Sequence, residues 1–151
     1  MRYSHTQHAP LHWLLWATAV LMVVLGLFAG QEVRWVEYLL YGVAALVAVL
    51  ALCFRTLTVS DEGDALTIRF GPIALFRKRV SYASMSSAAP ARSAILDGWG
   101  VHWLPGRGWT WNLWGRDCVE IETTRGVVRV GTDDREGLAD FLRTRLGGPA
   151  A

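Results

Sequence analysis

Two long apolar runs separated by a very short connection constrain this chain more than any other feature. Leu11 to Ala29 reads LHWLLWATAVLMVVLGLFA, and His12 is its one ionisable side chain. The second run, residues 36–54, has no charge after Glu37. About 17–25 predominantly apolar residues carry a helix across a bilayer, so both runs (11–29 and 36–54) are predicted to be retained membrane-spanning helices. A cleaved secretory signal has a core of only about 7–15 apolar residues, shorter than the first run, and a second run follows it at once. The connection Gly30-Gln31-Glu32-Val33-Arg34 makes residues 11–54 an antiparallel hairpin. Trp13 and Trp16 near one end, and Trp35 and Tyr38 near the other, suit the aromatic belts of the two bilayer interfaces.

Composition confirms a chain made of two materials. Hydrophobic residues make up 52% and charged residues 19%, and between Leu11 and Phe54 the only formal charges are Glu32, Arg34 and Glu37. From Arg55 onward the chain carries charge as a water-facing domain does. Such hydrophobicity excludes a natively disordered chain. Two cysteines, Cys53 and Cys118, exclude a disulfide scaffold. A net charge of +2 lacks the strongly basic face that nucleic acid requires. Basic residues bias orientation. The connection holds Arg34 alone, whereas Arg2 and Arg55, Arg69 and Arg77-Lys78-Arg79 flank the hairpin outside, which places both termini and the C-terminal domain in the cytoplasm.

The hairpin reads as an anchor. Glu37 and His12 sit at run ends, where headgroups or water reach them, rather than mid-helix as in a proton relay. His5, His8 and His12 have helical spacing for a metal, but no cysteine or carboxylate stands near them. The expectation is a frayed tail over residues 1–10 with no metal and no cofactor. Gly26, Gly42, Ala44, Ala45 and Ala48 offer small surfaces for close helix contact.

Beyond Arg55 the period changes to two. Thr56 to Ser60, Leu66 to Phe70, Ile73 to Tyr82, Trp99 to Leu104, Trp109 to Trp114, Cys118 to Thr123 and Val127 to Val130 read as seven short strands. Gly, Pro and Asp clusters separate them, the pattern of an antiparallel sandwich or small barrel. Ala83 to Asp97 lacks a clear period and reads as loop. Asp133 with Glu136 forms a capping box, and Leu138, Phe141, Leu142 and Leu146 share one face of a helix over 133–146. Gly147-Gly148-Pro149 ends it and leaves a tail at 147–151.

Gly98-Trp99-Gly100, the DCVEIE run from Asp117 to Glu122, Val130-Gly131-Thr132-Asp133 and the terminal helix, placed after two membrane helices, carry a resemblance. The chain resembles small bacterial membrane proteins with a pleckstrin-homology-like (PH-like) domain. That resemblance implies an α+β protein of the inner membrane, with a strongly bent sheet of about seven antiparallel strands over 55–146, capped by one helix. It also implies binding or assembly rather than catalysis.

Three constellations are candidates for function. Trp99, Trp103, Trp109, Trp111 and Trp114 crowd one hairpin whose turn carries Arg107. They read either as core aromatics or as a surface meeting headgroups or a protein, with Arg107 on a phosphate. Arg77, Lys78 and Arg79 would attract anionic lipid, yet in a strand Lys78 faces opposite to the two arginines, and a solvated edge fits equally well. Cys118 with His102, oriented by Asp97 or Asp117, is the only nucleophile and base pair, without a family signature. The expected function is therefore a membrane-anchored interaction module that meets lipid headgroups or a membrane or cytoplasmic protein partner. An accessory subunit packing its helices in a larger membrane complex is the alternative, and a Cys/His enzyme the third reading.

Overall fold

The computed structural model describes residues 2–29, 33–93 and 99–147. It is an α+β chain with two apolar N-terminal helices, two sheets and one C-terminal helix. Asp97, Gly98 and the connection residues Gly30 to Glu32 lie outside the described residues.

Helix α1 spans Leu11–Ala29 and helix α2 spans Arg34–Cys53. Both are long and apolar enough to cross a membrane, and little of either is buried within the protein. They pack on each other through small residues. Gly26 lies against the Tyr41 ring so closely that a Cβ would have to displace it, and Ala19 and Ala44 are buried. Part of the small-residue set read as a docking stripe is thus spent inside the hairpin, while Gly42 faces open space.

Residues 1–10 correct the expectation of a frayed tail. Ser4–His8 is a strand, β1, paired antiparallel with β2 (Thr56–Asp61) from Ser4↔Ser60 to His8↔Thr56. Polar SHTQH has no apolar alternation because it is an edge strand held by other means. Thr6 and Thr58 hydroxyls meet at 2.9 Å, and the Gln7 amide donates to the Trp114 carbonyl at 3.1 Å. The Tyr3 ring just before it stacks on Phe141 at 5.3 Å. The histidines therefore do not share a helical face.

Strand β3 (Ala65–Phe70) and β4 (Arg77–Ser81) complete a meander, β1-β2-β3-β4. The third predicted strand begins late, because Gly71–Phe76 turns before β4 starts. A short 3₁₀ turn at Tyr82–Ser84 leads into β5 (Met85–Arg92), in the segment read as loop. Its alternation is hidden by a register shift between Met85 and Ser87, which leaves buried Met85 and Ala88 three residues apart. Pro90 is tolerated there because β5 is an edge.

Strands β6 (Gly100–Leu104), β7 (Gly108–Asn112), β8 (Asp117–Thr123) and β9 (Gly126–Gly131) join β5 in the order β5-β8-β9-β7-β6. β7 and β9 run parallel. Among the described residues, nine strands in sheets of four and five thus replace the about seven antiparallel strands expected, and the sheets do not close into a barrel.

Leu57, Val59, Ile68, Phe70 and Val80 from the first sheet meet Trp111, Val119, Ile121, Val128 and Val130 from the second. Helix α3 (Arg135–Arg145) seals this core with Leu138, Ala139 and Leu142, supported by Phe141 and Leu146. Its cap is Asp134, not Asp133: the Asp134 carboxylate accepts the Gly137 N–H at 3.3 Å. Asp133 instead meets the His5 ring at 2.5 Å. Arg143 and Arg145 in the last turn complement the helix dipole.

Candidate functional site

The open seam between the sheets brings Lys78 and Arg79 of the basic triplet beside Trp109, whereas the other predicted residues lie elsewhere. In β4, Lys78 and Val80 turn inward, whereas Arg77, Arg79 and Ser81 turn to solvent. The predicted split of the basic triplet is what the strand shows. Arg77 binds Glu62 at 2.9 Å, and Arg79 binds Asp64 at 2.6 Å. The Arg79 hydrogen bond holds the Asp64 carboxyl below the usual carboxylate range. These two cations are largely answered within the domain. Lys78 is not: it has no carboxylate partner among the described residues. Its ammonium lies 5.2 Å from the Trp109 ring centroid and 5.9 Å from that of Trp111, a cation–π arrangement. Partial burial pushes its pKa down, because desolvation disfavours the charged form.

The tryptophan hairpin divides between core and surface. Cross-strand pairs Val101↔Trp111 and Trp103↔Trp109 put these four side chains on the core-side face. Trp111 is buried, 6.0 Å from Phe70, while Trp103 and Trp109 are 56% and 43% exposed. Trp111 thus belongs to the core, whereas Trp103 and Trp109 lie at the surface. Trp99 stacks on Trp114 at 4.4 Å and donates its indole N–H to the Gly115 carbonyl. Trp99 also borders a small apolar cleft with Leu11, Leu15, Leu50, Phe54 and Leu113, at the junction of helices and sheets. Arg107 lies in the β6–β7 turn, its carbonyl accepting from Arg129 at 2.7 Å.

A cleft of about 520 Å³ opens at the seam, bordered by Lys78, Arg79, Ser84, Trp109, Thr124 and Arg125. Gly108, next to Trp109 and at φ +78°, lets β7 run against the Val127 carbonyl because it has no Cβ. Arg125, at the tip of the β8–β9 turn, is exposed and has no carboxylate partner among the described residues. In the sequence, Thr124-Arg125-Gly126 between two strands marks it only as a turn residue. Its approach to Lys78 depends on how the two sheets fold over each other, which no local pattern encodes. A half-desolvated ammonium, a guanidinium, hydroxyls and an indole face together suit an anionic group attached to an apolar body.

His102 and Cys118 are not brought together. β7 and β9 separate β6 from β8, which at a strand spacing of about 4.8 Å puts the two backbones about 14 Å apart. Asp117 is engaged by Arg92 at 3.1 Å and Arg135 at 3.3 Å, and Asp97 lies outside the described residues. The described residues contain no cluster of three or more histidine, cysteine or acidic side chains able to hold a metal.

No family model matches the chain, and no curated protein is significantly similar to it. Fold and site define it by architecture: an apolar helical hairpin joined at both ends to a two-sheet α+β domain with an open, cationic seam.

Proposed function

We propose that this protein is a membrane-anchored interaction module. Its two helices span the bacterial inner membrane, and its PH-like domain lies on the cytoplasmic face. The seam around Lys78 and Trp109 receives an anionic group there, from a lipid headgroup or a protein partner. The observation that carries the anchor is the pairing of β1 with β2. Residues before α1 and residues after α2 belong to one sheet, so removing α1 as a signal would strip an integral strand from the domain. The same pairing keeps both outer ends of the hairpin on one side of the bilayer. Support for the binding site is Lys78, a cation held over two indoles without a carboxylate. The Glu62 and Asp64 pairs satisfy its neighbours but leave it available.

A photo-crosslinking side chain at position 109, in the full chain and its own membrane, tests this reading. Adducts to lipid or to one discrete protein, reduced at least several-fold by Lys78→Ala, support it. Adduct yields no greater than those from exposed position 140 on α3 overturn the site. Topology is checked at Val33→Cys, which should react with a membrane-impermeant thiol reagent from the periplasmic side only.

A further inference from the structure

We propose that the turn between β3 and β4 is a third membrane contact. In it, Pro72 to Leu75 lie at the acyl–headgroup boundary of the leaflet that receives the C-terminal end of α2. The proposal rests on reading α1 and α2 as membrane-spanning. Turns in water are built from polar residues, Gly and Pro, but this one reads Gly-Pro-Ile-Ala-Leu-Phe with no charge and no side-chain hydrogen-bonding group. Pro72, Ile73, Ala74 and Leu75 are all exposed, Leu75 by 64%.

The position of the turn supplies its occupant. Gly71, at φ +53°, packs so tightly on the end of α2 that a Cβ would collide with the Leu52 and Cys53 carbonyls. Its N–H donates to the Thr56 carbonyl at 2.7 Å. The Phe54 ring sits 5.1 Å from Phe70 and 5.4 Å from Phe76, tying both feet of the turn to the residue that ends the helix. The exposed apolar tip therefore continues the apolar band of the hairpin.

A basic rim borders it. Arg69 and Arg77 are direct cross-strand partners at the turn's base, and Arg55 follows α2. Like charges placed opposite each other oppose pairing, and of these two arginines Glu62 answers Arg77 and not Arg69. Arg55 and Arg69 are exposed and have no carboxylate partner among the described residues. Apolar side chains edged by guanidinium groups match acyl chains edged by phosphates.

The test uses the full chain in nanodiscs containing phosphatidylglycerol. A fluorescent thiol label is placed at Leu75→Cys, at Leu46→Cys on the exposed flank of α2, or at Arg143→Cys on α3. Native Cys53 and Cys118 are buried and escape labelling. Because Leu75 is exposed, its substitution leaves the fold intact. The expected result is quenching of the position 75 label by lipids spin-labelled near the headgroup, several-fold stronger than at position 143. Aqueous iodide should show the reverse order. Iodide access at position 75 equal to that at 143 overturns the proposal. Protection from both quenchers also overturns it, since a protein then covers the turn. Quenching at position 46 by lipids spin-labelled within the acyl chain, without headgroup-level quenching at 75, refutes the turn contact alone, whereas absence of both refutes the anchor.

Discussion

Tyr3 should stabilise a helix that lies over 130 residues further along the chain. Its hydroxyl donates to Asp134 Oδ2 at 2.9 Å, and the same carboxylate caps α3 through the Gly137 N–H. A hydrogen bond to an ionised group contributes about 1.5–3 kcal/mol. Tyr3 is half-buried, so the lower end applies, and Tyr3→Phe should cost about 1.5 kcal/mol. For a domain of this size that is a fall in Tm of about 6–12 °C. Tyr3→Ala also removes the stack on Phe141, at a further cost of about 0.5–1.5 kcal/mol beyond lost burial.

Thermal unfolding in mild detergent, followed by tryptophan fluorescence, reads both, because five of the eight tryptophans lie in the sheet domain. A double-mutant cycle with Asp134→Ala should show a coupling of at least about 0.5 kcal/mol. Wild-type melting of Tyr3→Phe and Tyr3→Ala alike would refute the docking of β1, and with it the main support for a retained first helix. A low Tm for Tyr3→Ala alone would mean that the ring packs while the hydroxyl contributes nothing.

The domain should weaken in alkali. Burial, and then the carboxylates Asp134 and Asp61, raise the pKa of Tyr3 and Tyr82 above the ordinary value. The folded state thus keeps protons that the unfolded chain releases from about pH 10. Stability from these groups is complete below that pH and is lost above it. The loss should flatten in the Tyr3→Phe/Tyr82→Phe double variant when melting is followed from pH 7 to 11. Lys78→Met should melt no lower than wild type, since Met keeps the apolar stem and removes a charge that burial disfavours. It should nevertheless lose crosslinking at position 109, and a clearly lower Tm would make Lys78 a structural cation instead.

Elements with a strong local period were legible in the sequence, and those stabilised from a distance were not. The first helix matches its predicted bounds at Leu11–Ala29 because apolar length alone specifies it. α3 was legible from the spacing of Leu138 and Leu142, but its cap shifted by one residue to Asp134. Glu136, three residues on, favours Asp133 in the sequence, but in the structure Asp133 meets His5 while Asp134 takes Tyr3 and the Gly137 N–H. β1 was illegible because polar SHTQH becomes a strand through its pairing with β2, and β5 because its bulge breaks the period. The site was half legible. Alternation separated Lys78 from its neighbouring arginines, whereas Arg125 and Thr124 join it only through the stacking of the two sheets.

These contacts bear on where the seam can act. α1 begins three residues after β1 ends, and α2 ends three residues before β2 begins. Because β1 and β2 pair with each other, the domain is held to its hairpin at two adjacent points rather than on one linker. Free rotation about a single connection is removed. Lys78 stands opposite Ile68, two residues from Phe70 and the end of β3 that abuts α2. At about 3.4 Å per residue, it lies no more than about 7 Å along the strand from that end. A headgroup layer adds about 5–8 Å outside each face of the hydrocarbon core. With the hairpin spanning a bilayer as proposed, a cation so placed, on a domain that cannot swing outward, would match the depth of phosphates in the adjoining leaflet. A soluble partner would have to press against the bilayer to reach it, so of the two anionic sources the lipid headgroup fits the tether better.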